Sequence, residues 1–401
     1  MIKLSPAEAR KIVLLSQGIH QQNQLGRGQN AVLKAIEQLG YVQIDSISVV
    51  QRAHHHSLWN RVREYRPTQL DGLLEQQQIF EYWSHAAAYL PMRDYRFSLP
   101  RKQAIAGGAK HWHVKDARLA DRVIQRITAE GPLQARDFKN PQNRGANAWW
   151  QWKPAKQALE QLFMEGELMV VRRRGFQKVY DLTERVLPPG IDTSTPDQIE
   201  FQQHLINQFL MSNGIGTPAE ISYLRKGMHA PVAEQCRQMV ADGQLRKVEV
   251  NHRNYYAMNG VRELLSKKLS RSKVKILSPF DNLLIQRQRM LTLFAFDYQL
   301  ECYVTAAGRK YGYFCLPLLW GHNFAGRMDV KMHRKSGLLE IVSLHLETQD
   351  TTEFISALKI CLSDFMKFNQ ADRLQLSSLT ENCRIVTGSA WRKIKTQLEN
   401  P

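Results

Sequence analysis

Apolar and polar residues recur with two periods along this chain, and the changes of period predict its elements. Ser5-Pro-Ala-Glu-Ala-Arg opens a first helix: Ser5 suits the cap, Pro6 the first turn, and Glu8 the acid position of a capping box. A polar loop over 21–28 precedes a second helix, Ala31 to Leu39, which Gly40 ends. Tyr41-Val-Gln-Ile-Asp45 then reads as a short strand. A helical pattern follows directly, with Ile47, Val50, Arg52, His54, His55, His56 and Trp59. Pro67 and the spacing of Leu70, Leu73 and Leu74 start another helix, before the aromatic stretch Phe80-Glu-Tyr-Trp83.

The next two segments share one plan. Helical patterns over Ala117–Thr128, Gln134–Phe138 and Pro154–Met164 lead into two β-patterned runs around Gly175, from Gly166 to Leu182. Three helices and a hairpin predict a winged helix. A helix over Gln198–Met211, a turn over 214–220 into a short helix, and a third helix over Pro231–Val240 lead into a second wing, Gly243 to Ala257. Gly166-Glu-Leu aligns with Gly243-Gln-Leu, a weak internal repeat. Beyond Ser272 the pattern becomes short strands: Val274–Leu277, Leu291–Phe296, Glu301–Thr305, Tyr311–Pro317, Arg327–Met332 and Leu338–Leu346, closed by a helix over Thr352–Phe368. The expected fold class is α+β, with tandem winged-helix (helix-turn-helix) modules followed by a β-rich C-terminal domain. Its divisions are a winged-helix-like module at 1–112 carrying the Tyr41–Asp45 corner, winged helices at 113–192 and 193–262, and the β-rich domain at 263–401.

Charge adds a partner to this outline. Lys and Arg number 55 against 37 Asp and Glu, a formal net charge of +18 in 401 residues, which points to a polyanion. The basic residues are spread along the chain, not gathered on one amphipathic helix, and no run of eighteen apolar residues occurs. Nucleic acid is therefore expected over a membrane, and the protein is expected to be cytoplasmic, nucleoid-associated when bound to DNA, and monomeric. The 5 cysteines are scattered without CxxC pairs, so no disulfide framework, metal or other cofactor is expected. Arg172, Arg173, Arg174 and Lys178 in one wing, and Arg246, Lys247, His252 and Arg253 in the other, are candidate phosphate contacts. The competing reading is a solvated charged face, or a winged helix that contacts protein. Two or three such modules in one chain suit clamping a duplex better than reading one operator.

The chemistry centres on the corner. If Tyr41 to Ile44 is extended, Gln43 and Asp45 project from one face while Val42 and Ile44 face the core. The alternative is that Asp45 is a helix N-cap, accepting from the N–H of Ile47 or Ser48, with Gln43 an ordinary exposed residue. Arg52, His54 and His55 follow as duplex contacts or packing residues. Three consecutive histidines on a helix, with His56, point in different directions and make a poor ligand set for one metal. Trp149, Trp150 and Trp152 could stack on bases or belong to core and interface.

The tandem winged helices, Gln43-Ile44-Asp45, the stretch Ser278-Pro-Phe-Asp281-Asn-Leu-Leu-Ile-Gln-Arg287-Gln-Arg289, Tyr311-Gly-Tyr313 and Gly326-Arg327-Met-Asp329 together resemble the AlkZ-like family of winged-helix DNA glycosylases, over nearly the whole chain. The founding type carries Gln, an apolar residue and Gln at the corner. Asp in the second polar position is similar to the YcaQ branch, which implies excision of N7-alkylguanine and unhooking of interstrand crosslinks, with Gln43 and Asp45 as the catalytic pair. Arg287, Arg289 and Arg327 would then approach the lesion or its phosphates, or serve as structural ion-pair partners. The physical logic agrees with that resemblance. An N7-alkylated guanine is cationic and already a good leaving group. What remains is to stabilise an oxocarbenium-like sugar and place a water, tasks for a carboxylate and an amide. No positioned lysine in the motif argues for a Schiff base, so hydrolysis to an abasic site is expected. Rival readings are a non-catalytic winged-helix regulator and, with less support, a metal-dependent nuclease.

Overall fold

Ser5 does cap the first helix, Pro6–Ser16: its hydroxyl accepts from the Glu8 N–H at 3.3 Å, and Glu8 returns a carboxylate to the Ser5 N–H at 2.8 Å. The computed structural model describes residues 1–19, 25–109, 116–138, 148–272, 274–348, 351–381 and 384–399, with backbone alone over 148–153. The loop expected over 21–28 thus lies partly outside the described residues, as do the side chains of Trp149, Trp150 and Trp152. Two compact units result: Met1–Tyr65 with Leu205–Pro401, and Arg66–His204. They follow tertiary contacts and not chain order, and they cut across the four consecutive modules expected from the sequence.

In the larger unit, the three residues Ile2–Leu4 pair in parallel with Leu245–Val250, Ile2 opposite Val248. Leu245–Val250 forms an antiparallel hairpin with Arg253–Met258, and Ile215–Gly216 completes a four-stranded sheet. The expected second wing therefore exists as a hairpin, extended by the chain's first strand. Its apolar side, including Val248 and Tyr255, joins Ile12, Val13, Leu284, Met290 and Phe294 in one core.

The C-terminal part is a seven-stranded sheet. Lys275–Ile276, Cys315–Trp320, Asn323–His333 and Leu338–Leu346 run antiparallel in that order. Arg373–Leu376 and Leu379–Glu381 then pair in parallel with Leu338–Leu346, which requires a crossover, here the helix Thr351–Asn369. That helix buries Phe354, Leu358, Leu362 and Phe365 in the core that holds Ile341 and Leu344.

Two strand expectations fail here. Leu291–Phe296 belongs mostly to a helix, Arg287–Phe294, whose Met290, Leu293 and Phe294 are buried at helical spacing. Glu301–Thr305 is a turn, not a strand. Short apolar runs do not carry enough residues to distinguish the two periods.

The smaller unit carries the hairpin Ile79–Trp83 with Ala87–Pro91, so the aromatic stretch is a strand. The helices Ala117–Glu130 and Ala148–Glu165 lead to the hairpin Leu168–Arg174 with Gln177–Leu182, to which Leu133–Gln134 adds a third strand. Lys102 is buried in this unit, its ammonium 3.9 Å from the Tyr95 ring centre and 4.9 Å from that of Tyr82. Burial lowers its pKa to about 7, and the aromatic faces partly compensate the charge.

Candidate active site

Only Val42 and Gln43 of the corner form a strand, and the following helix begins at Ala53, not directly after Asp45. Between them the chain runs irregularly over 44–52. Val42 and Ile44 are buried as the alternation requires, but Gln43 is only 9% exposed as well. Asp45 remains partly exposed. Its Oδ1 accepts the Ile47 N–H at 2.7 Å, the contact expected of a cap but made here in a local turn ahead of no helix.

Tertiary hydrogen bonds fix this irregular segment. The Met332 N–H donates to the Val49 carbonyl at 3.2 Å, and the Arg334 guanidinium donates to the carbonyls of Ser48 and Val50 at 3.2 and 2.9 Å. Val50 is fully buried in the C-terminal core, with Ile47 and Val49 packed at its margin. Asp45 is thus presented from a backbone strapped to the end of the long strand Asn323–His333.

Burial pushes the Asp45 carboxyl above the ordinary aspartate value of 3.8, opposed by the Ile47 N–H. A carboxylate of raised pKa is a stronger base, provided it is ionised. Activity that needs ionised Asp45 should therefore fail as pH falls through this raised pKa. We expect the acidic limb of the single-turnover rate to lie above pH 3.8 and to vanish in Asp45→Asn. A flat profile down to that pH would contradict it.

Behind the corner lies a buried ion pair. Arg61 meets Asp281 at 2.7 and 2.9 Å, both side chains with 0% exposure. The remaining guanidinium N–H groups donate to Gln17 O at 2.8 Å, Gln17 Oε1 at 3.1 Å and Ser57 O at 2.8 Å. Next to Asp281, the Asn282 amide donates to the Tyr41 carbonyl at 2.9 Å, tying the Ser278–Arg289 stretch to the start of the corner.

A loop over 301–314 is the element that sequence reasoning missed. Glu301 accepts the N–H groups of Lys310, Tyr311 and Gly312 at 3.0, 2.9 and 3.0 Å, and Asp329 those of Tyr313 and Phe314 at 3.0 and 2.7 Å. Burial works against ionised Glu301, but its backbone donors hold its pKa below the usual carboxylate range. Gly312 sits at φ 140°, and a Cβ there would lie 2.3 Å from Asp329 Oδ2. Gly312→Ala should therefore break this clamp and cost roughly 1–3 kcal/mol in denaturant unfolding. An unchanged midpoint would show that the loop tolerates the extra carbon. The loop's Cys302 and Tyr303 both feel the charge of Asp45: burial raises each pKa first, and the carboxylate raises it further.

The expected basic contacts separate into two groups. Arg174, Arg246, Lys247, His252 and Arg253 are exposed, and Arg172 is partly so. Arg173 is instead paired with Glu81 at 2.6 and 2.7 Å, and Lys178 with Glu160 at 2.9 Å. Arg289 bonds Glu220 at 2.9 Å and the Ile215 carbonyl at 2.9 Å, and Arg327 grips Glu347 with its ring-stacked guanidinium 4.0 Å from the Tyr311 ring centre. Arg287 donates to the Pro279 carbonyl at 2.8 Å and lies over Tyr298. These are structural positions. Among the histidines, His54 is 2% exposed and belongs to the core, which corrects its reading as a duplex contact. His55 meets the Tyr65 hydroxyl at 2.7 Å, and burial lowers its pKa to about 4. His56 is buried against Trp59 and Phe365, with Nε2 2.9 Å from the Ile276 carbonyl. Arg52 precedes the helix as its cap residue and is partly buried.

Comparison with known proteins agrees with this geometry. The solved structure of a Streptomyces sahachiroi DNA glycosylase, AlkZ, shares the fold with a TM-score of 0.61 at 12% identity, over 94% of this chain and 100% of that one. A family model described as DNA glycosylase AlkZ-like matches residues 36–368, from the helix before the corner to the end of the crossover helix. With the match spanning corner, ion pair, clamped loop and the antiparallel strands of the C-terminal sheet, the chain belongs to the AlkZ-like DNA glycosylase family.

Proposed function

We propose that this glycosylase hydrolyses the N-glycosidic bond of N7-alkylated guanine in duplex DNA, including a guanine held in an interstrand crosslink, and leaves an abasic site. The observation that carries the reading is a half-buried carboxylate of raised pKa, Asp45, two residues from the buried amide of Gln43 in a chain of this family. Asp45 stabilises positive charge developing on the sugar and accepts a proton from the attacking water. Gln43 holds that water in line. The water oxygen bonds to C1′ as the C1′–N9 bond breaks. The bond's electron pair passes to the base and neutralises its cation, so no strong general acid is required. The carboxyl then returns its proton to solvent.

The two hairpins Leu168–Arg174/Gln177–Leu182 and Leu245–Val250/Arg253–Met258, each following helices, support a winged-helix use. In this reading Arg172, Arg174, Arg246, Lys247 and Arg253 supply backbone contacts as a monomer binds one duplex. Affinity for undamaged duplex should then fall steeply with salt.

The test is single-turnover incubation with a duplex carrying one N7-methylguanine, then alkali to cut abasic sites, and a parallel reaction with a nitrogen-mustard crosslink. Base release without strand cleavage before alkali is the expected result. Tight binding with no base loss on either substrate would leave a non-catalytic DNA-binding protein.

A further inference from the structure

Tyr303 is 82% exposed, an unusual state for an aromatic residue on a loop so firmly held. Glu301 and Asp329 together accept five backbone N–H groups from residues 310–314, and the Val304 N–H closes a turn on the Glu301 carbonyl at 2.9 Å. The Arg309 side chain donates back to the Val304 carbonyl at 2.9 Å. A rigid support of this kind costs buried carboxylates and a glycine, yet the ring it presents packs little of its own surface.

Its loop and the corner share one core and one anchoring strand. Leu300, three residues before Tyr303, packs against the same apolar core as Ile47 and Val49, which follow Asp45. The strand Asn323–His333 anchors both pieces: Asp329 holds the loop, while Met332 and Arg334, just beyond the strand's end, hold residues 48–50. The charge of Asp45 reaches both Cys302 and Tyr303, in agreement with that shared anchor.

An aromatic face beside a carboxylate is the pairing that attracts a flat organic cation. The ring's quadrupole is negative over its face, and a cationic base has both a π surface to stack and a charge to share. Uncharged guanine offers only the stacking. The geometry points to Tyr303 as a specificity-determining residue that stacks on the cationic, N7-alkylated base at the Asp45 corner. The inference rests on the glycosylase reading and adds to it how charged lesions are told from intact guanine. Because the ring face is what acts, the hydroxyl is dispensable.

The experiment measures binding in Asp45→Asn protein, which removes the carboxylate's own attraction for a cation. Two duplexes are compared, one with N7-methylguanine on 2′-fluoroarabinose, which resists base loss, and one with neutral 7-methyl-7-deazaguanine of the same shape. Roughly tenfold tighter binding of the charged duplex is expected with Tyr303 present, as exposed to partly desolvated cation–π contacts allow. Tyr303→Phe should keep that ratio. Tyr303→Ala and Tyr303→Leu should bring it close to one, with affinity for undamaged duplex unchanged as the check on folding. A ratio that survives Tyr303→Ala, or is lost equally in Tyr303→Phe, overturns the inference. Release of ordinary N7-methylguanine by protein with Asp45 intact is read separately. Its absence would sink the glycosylase reading whatever the ratio, and its presence with an unaltered ratio would sink only the role of Tyr303.

Discussion

Asp45→Asn is expected to slow release of N7-methylguanine by about 10²–10⁴-fold in single turnover, with affinity for undamaged duplex almost unchanged. The substitution keeps shape and can still accept the Ile47 N–H through its amide oxygen, a bond of 2.7 Å in the parent. It removes the negative charge that stabilises the sugar cation and the base that takes the water's proton. These contributions act on the same transition state, so their loss appears in the rate of base release. Stability should not suffer. A carboxyl whose folded pKa is raised weakens the folded state at neutral pH, because the unfolded chain ionises it more readily. That weakening disappears as pH falls below the unfolded value. An Asp45→Asn protein that releases the base within threefold of the parent would remove Asp45 from the mechanism.

The second large effect concerns folding. Arg61→Ala should cost about 3–5 kcal/mol in denaturant unfolding, because Asp281 would remain as an uncompensated buried charge. The guanidinium spends all of its donors on Asp281, Gln17 and Ser57, and so joins the end of the first helix, the helix Ala53–Trp59 and the Ser278–Arg289 stretch. Asp281→Asn in the same chain should recover part of the loss, since the buried group is then neutral. The comparison separates a charge effect from lost packing. A single variant less than 1 kcal/mol below the parent, or a double variant no better than the single, would refute that account. Loss of activity in Arg61→Ala at temperatures where it remains folded is not expected, as Arg61 lies in the core and approaches no substrate in this mechanism.

Much of the candidate site was legible one residue at a time. The capping box at Ser5, the stop at Gly40 with φ 78°, and the two hairpins follow from local chemistry that tertiary contacts only complete. Gln43 and Asp45 stood out because two polar side chains interrupt an apolar run. Local signals also misled. The apolar run Leu291–Phe296 fits either period, and the residues after Asp45 carry a helical pattern but are strapped in irregular form by Met332 and Arg334, nearly 290 positions away. Several arginines looked like DNA contacts because a charged side chain is the same in sequence whether it faces a phosphate or a carboxylate. Arg173, Arg289 and Arg327 face Glu81, Glu220 and Glu347.

The sequence by itself determined most of the helices, the two wing hairpins, the basic character and the two polar residues of the corner, because each depends on neighbours within about a turn or on a sum over the chain. Only the tertiary structure decided that Ile2–Leu4 completes a distant sheet, that Arg61 and Asp281 neutralise each other, and that Glu301 and Asp329 clamp the loop that carries Tyr303. Those features are pairings between residues far apart in the chain. A partner's identity enters the energy only once the backbone has folded to bring the two together.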